Sequence, residues 1–183
     1  GALDRTTRAA PMRRSMAVRQ VGAFQWVFAP ALLSIAASIV MATPFSLFGF
    51  YLPEFVFPLV LAFSWPLIRP AVIAPLVLFF LGLFLDLLWD APLGLWALCL
   101  MAAYGLVLSV RSLLAGQDPL VLFVCFSGVV TAAFVLAYFI ISLRSSSPPS
   151  LFALLGQMIP TLCLFPLAAF MIERFDDADV RFR

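Results

Sequence analysis

Two carboxylates stand in one of the most apolar stretches of the chain, FLGLFLDLLWDAPLGLWAL, residues 80–98. Asp86 lies among leucines and phenylalanines, and Asp90 follows four residues later, ahead of the turn-like APLG. Two acids at that spacing suggest an acid/base dyad first. Such a dyad needs both carboxylates to converge on one water or one bond, with a facing group to complete it. Here both fall at one helix end, no other span offers a buried acid, and the only further acid near the same side is Glu54. The chain has no histidine, so the commonest general base and metal ligand is missing. Cys99, Cys125 and Cys163 lie in different apolar runs, where thiols behave as small hydrophobes. From these residues no enzymatic activity, no metal and no cofactor is expected.

Two other roles for Asp86 remain. It could bind a cation or a polar substrate inside a bundle. It could also be a structural acceptor, bonded to the start of the next helix, to Trp96, to Tyr104 or to another span, where a helix dipole favours negative charge. A lone acid without aligned polar neighbours makes a thin substrate site, which favours the structural role. Gly82 sits four residues before Asp86 and shares its helix face, where it would let a neighbouring helix come close. Asp90 is expected to continue that face one turn nearer the surface. Pro92 and Gly94 are expected to end one helix and open the next, with Pro92 in its first turn.

The elements that must position these residues follow from composition. Of 183 residues, 64% are hydrophobic and 11% charged, and the mean hydropathy is +1.13. That is too little charge for the polar surface of a soluble domain, and the apolar runs are continuous rather than alternating. The chain therefore reads as an all-α integral membrane protein. Residues 1–21 form a basic tail, residues 22–172 the helical membrane domain, and residues 173–183 a short mixed-charge tail read as a solvated end. Six spans are expected, at about 24–43, 54–68, 71–89, 93–114, 119–143 and 151–172, or five if the proline-rich second one does not cross. The four tryptophans near span ends, Trp26, Trp65, Trp89 and Trp96, read as interfacial anchors. Ser34, Ala37, Ser38 and Met41 could form a packing face on the first span.

All eleven basic residues are arginine. With both termini in the cytoplasm, ten of them lie on that side and Arg144 alone lies outside, which the positive-inside rule favours. A net charge of +2 spread along the chain gives no footprint for nucleic acid.

The segment GLFLDLLWDAPLGLWALCLMAAYGLV resembles the rod-shape-determining membrane protein family MreD. Gly82, Asp86, Pro92, Leu93, Gly94, Leu95 and Ala97 carry the likeness, and the aromatic-proline second span, LPEFVFPLVLAFSWPLIRP, adds to it. The resemblance implies a non-enzymatic scaffold of the bacterial cell-elongation machinery in the inner membrane. Its implied partners are the periplasmic scaffold MreC, the polymerase RodA with its class B penicillin-binding transpeptidase, MreB filaments and membrane lipids. On that reading Gly82, Asp86, Asp90, Pro92 and Gly94 shape a partner-binding bundle. The family's fold is similar to the substrate-binding subunits of energy-coupling-factor transporters, and from that similarity comes the competing expectation of a vitamin-type substrate-binding subunit.

Overall fold

The computed structural model describes residues 23–42, 55–68, 72–114 and 116–180, with side chains described for 27–42, 55–68, 72–114 and 116–174. The basic tail, Glu54 and the Trp26 side chain fall outside them. Every described element is a helix: α1 (Ala23–Ala42), α2 (Phe57–Ile68), α3 (Ile73–Leu88), α4 (Leu95–Leu114), α5 (Pro119–Arg144), α6 (Leu151–Leu162) and α7 (Phe165–Val180). Three stretches are long and apolar enough to cross a bilayer: α4, α5 and the Leu151–Arg174 run. Shorter apolar helices cover Val27–Ala42, Phe57–Ile68 and Ile73–Leu88.

The centre of the bundle is α2. Its residues Pro58 to Pro66 are all buried, and it packs against α4 and α7 and also touches α1, α3 and α5. A helix apolar on every side can be enclosed on every side, and that is where this sequence goes. At 12 residues it is about 18 Å long, well short of the roughly 30 Å of a hydrocarbon core. Phe63 of α2 meets Phe126 of α5 edge to face at 5.2 Å, and Phe126 also tilts against Phe165 of α7 at 5.7 Å. On the outside the pattern inverts. Leu33, Phe80, Phe152 and Phe139 are exposed, as expected where the surrounding medium is as apolar as the core.

Two expectations are corrected here. Trp65 is fully buried and Trp96 is 5% exposed, so both are core residues and not interfacial anchors. The sixth span is not one helix. It breaks at Cys163–Leu164, because Pro166 has no N–H to return to the Leu162 carbonyl and Pro160 has none for Gly156. Helix α7 also continues to Val180, so residues 173–180 of the mixed-charge tail are helical. Within it, the Arg174 guanidinium lies 6.0 Å over the Phe170 ring.

Phe126 joins three helices, so its truncation tests the core. In an apolar medium the transfer part of the cost shrinks while the cavity part remains. Phe126→Ala should therefore destabilise by about 2–3 kcal/mol, below the roughly 3–5 kcal/mol seen in water-soluble cores. Val124→Ala, 62% exposed on the outer side of the same helix, should cost under about 1 kcal/mol. Unfolding in mixed micelles, followed by circular dichroism, compares the two.

Candidate functional site

The junction between α3 and α4 is a tight turn built from residues 86–98. Helix α3 stops because Asp90 adopts a left-handed conformation (φ 51°), and the Ala91 N–H donates to the Asp86 carbonyl at 2.9 Å. With Trp89 as the cap residue, this six-to-one bond is that of a Schellman motif, the usual way to satisfy the last carbonyls of a helix. Aspartate is among the few non-glycine residues that tolerate such a φ. Asp90 is thereby carried off the helix. It does not continue the Gly82–Asp86 face, and its carboxylate is exposed.

Helix α4 begins just as tightly. Gly94 is the cap residue: its φ is +92°, and its carbonyl accepts the first helical bond from the Leu98 N–H at 2.9 Å. Pro92 precedes the helix rather than occupying its first turn, and its carbonyl accepts from the Leu95 N–H at 3.1 Å. The amides at the start of α4 have no partner within their own helix. Asp86 supplies one from α3. The Gly94 N–H donates to Oδ2 at 2.8 Å, and the Trp96 N–H donates to Oδ1 at 2.9 Å. Asp86 is 1% exposed, so these bonds form away from solvent. One residue thus closes two helix ends: its own carbonyl finishes α3 and its carboxylate starts α4. The positive end of the α4 dipole adds to the attraction.

The carboxylate can reach α4 only if the helices touch backbone to backbone, and Gly82 allows that. A Cβ placed on Gly82 would overlap the Cα and N of Ala97. The two junction glycines therefore serve opposite needs. Gly82 has ordinary helical conformation and no room for a side chain, while Gly94 has open space around it and a φ that other residues resist. The Trp96 ring fixes the register, packing edge to face on Trp89 at 5.5 Å and on Phe134 of α5 at 5.5 Å.

Of the site residues expected from sequence, Gly82, Asp86 and Gly94 converge at this contact. Pro92 lies in the turn, and Asp90 points out of it. Among the described residues Asp86 is the only buried acid, and no group of three or more His, Cys, Asp or Glu could hold a metal ion. Beside the junction lies an open hollow of about 380 Å³, lined by Phe79, Gly94, Ala97, Leu98 and Met101, with no side chain that could orient a polar ligand.

The sequence reading missed a second cross-helix contact of the same kind. Thr161, fully buried in α6, accepts the Val56 N–H at 3.3 Å at the start of α2 and donates to the Gln157 carbonyl at 2.8 Å. Its signal was a hydroxyl following a proline in an apolar run. Comparison with protein-family models, with curated proteins and with solved structures finds no match to this chain.

Three outcomes follow for stability in detergent. Asp86→Leu leaves two buried amides unpaired and should cost about 2–4 kcal/mol, while Asp86→Asn keeps one acceptor and should cost roughly half as much. Gly82→Ala pushes Trp96 and Ala97 away from α3 and strains the bonds Asp86 makes beside them, so its cost combined with that of Asp86→Asn should be clearly less than additive in a double-mutant cycle. Asp90→Gly should be neutral or stabilising by up to about 1 kcal/mol, because glycine meets the positive φ without strain. Asp90→Val should be destabilising. Thermal unfolding curves of the five single variants and the double variant check all of this.

Proposed function

We propose that the chain is a non-enzymatic membrane scaffold of the MreD type, acting in the bacterial elongation machinery that controls rod shape and peptidoglycan synthesis. The observation that carries this reading is the fate of Asp86. Both of its carboxylate oxygens are taken by amides of α4, so the one buried acid among the described residues serves the architecture of the bundle. The residues of the family resemblance, Gly82, Asp86, Pro92 and Gly94, are the ones that build this junction. A signature spent on a rigid helix pair fits a protein whose work is to present a surface. It fits poorly with a transport subunit, which needs several polar groups lining a pocket.

On this reading the chain sits in the inner membrane with both termini in the cytoplasm, supported by the one-sided distribution of arginine. Its helices take the arrangement of energy-coupling-factor substrate-binding subunits without their ligand. The partners are an MreC-like periplasmic scaffold, RodA with its class B transpeptidase, and MreB filaments.

The test is depletion and rescue in a rod-shaped host. The wild-type chain should restore rods and co-purify an MreC-like protein, Asp86→Asn should rescue in part, and Asp86→Leu should fail at equal membrane abundance. A stoichiometric small ligand in native mass spectrometry, with no co-purifying partner, would reject the scaffold reading in favour of a transport subunit.

A further inference from the structure

The Leu151–Arg174 run is held to the bundle unevenly. Helix α7 packs on the central α2 and on α5. Helix α6 packs chiefly on α5, and Thr161 is its only buried residue. Leu151, Phe152, Leu155 and Ile159 all face outward. Between the two helices the backbone ladder is thinned. Pro160 and Pro166 lack the amides that would return to Gly156 and Leu162. The Leu164 N–H turns to the Thr161 carbonyl at 3.1 Å, and the Leu167 N–H to the Leu164 carbonyl at 3.0 Å, in place of regular i−4 bonds. Proline pairs and broken ladders of this sort are where helices bend.

Leu154, Met158 and Leu162 pack against the core from α6, and a hydrogen bond from α6 to the start of α2 lies at that break. Thr161 is hydrogen-bonded to Val56, which caps α2 through its carbonyl: the Leu59 N–H donates to it at 3.2 Å. We infer that α6 is a hinged arm, turning about Cys163–Leu164 and latched to the start of α2 by the hydrogen bond between Thr161 and Val56. When the latch opens, α6 swings away from α5 while α7 stays in place. The start of α2 and the α5 flank then become accessible from the side of the bundle. The arm is about 18 Å long, so a swing of about 20° moves its far end by about 6 Å.

Spin-label distances on the full chain in lipid nanodiscs test this, with Cys99, Cys125 and Cys163 replaced by alanine. One pair, Phe152→Cys with Leu106→Cys, reports α6 against α4. A control pair, Phe170→Cys with Leu106→Cys, reports α7 against α4. Thr161→Val, which keeps the shape and removes the hydroxyl, should broaden the α6 distance or shift it by about 6 Å, with the control pair unchanged. Adding Pro160→Ala and Pro166→Ala should restore the i−4 ladder and collapse the α6 distance to one narrow population. The inference is overturned if Thr161→Val leaves the α6 pair as narrow as the control, or broadens both pairs alike. It also fails if the alanine pair leaves the broadened α6 distance as it was. Should Thr161→Val not reach the membrane, the alanine pair in the wild-type background decides: it must change the α6 distance and spare the control.

Discussion

In an apolar surrounding, a helix end is the one place where backbone polar groups lose their partners and no water replaces them. The rest of this bundle depends on how the α3–α4 junction meets that constraint. An unpaired amide buried in hydrocarbon costs several kcal/mol, so α4 cannot begin inside the protein unless something faces its first N–H groups. Asp86 does so with two charge-assisted bonds, which are stronger than those a neutral acceptor would make. The desolvation cost of burying the carboxylate is offset only because both oxygens are bonded and the helix dipole points at them.

From this one requirement the neighbouring residues follow. The carboxylate reaches α4 only across a backbone contact, hence Gly82. The chain must reverse within six residues, hence a left-handed Asp90 and a positive φ at Gly94. The bonded amide of Trp96 must stay in register, and its ring is clamped between Trp89 and Phe134. Each residue answers a different physical demand, so none substitutes for another. Each carboxylate oxygen of Asp86 accepts a peptide amide at the junction, which ties the acid to the start of α4.

Legibility in the sequence divides along the same line. The helical class and the order of the apolar segments could be read because length and hydropathy are properties of single segments. Gly82 and Asp86 could be placed on one face because four residues are about one helical turn. Asp90 could not, since it sits just where the helix ends and the ending is set by backbone conformation. Trp65 and Trp96 were misread because composition does not distinguish a tryptophan facing lipid from one facing protein, and tryptophan suits both. The break at Cys163–Leu164 was visible in Pro160 and Pro166, but an apolar run of span length concealed it.

Thr161 shows the constraint a second time and sets its range. At the start of α2 the acceptor is a neutral hydroxyl, the bond is longer (3.3 Å against 2.8 and 2.9 Å), and one amide is served instead of two. A charged residue there would lie in the middle of the helix pair without a second donor to justify its burial. The difference matches the packing. The α3–α4 pair is closed backbone to backbone around Gly82, while α6 meets the core through Thr161 and the half-buried Leu154, Met158 and Leu162. Strong capping goes with close helices and weak capping with a loosely held one. Among the described residues, the hydroxyls of Ser34, Ser38, Ser64 and Ser142 and the Trp65 Nε1 are buried without hydrogen-bond partners. They lie on α1, α2 and α5, whereas the buried carboxylate at the α3–α4 junction has a partner on each oxygen.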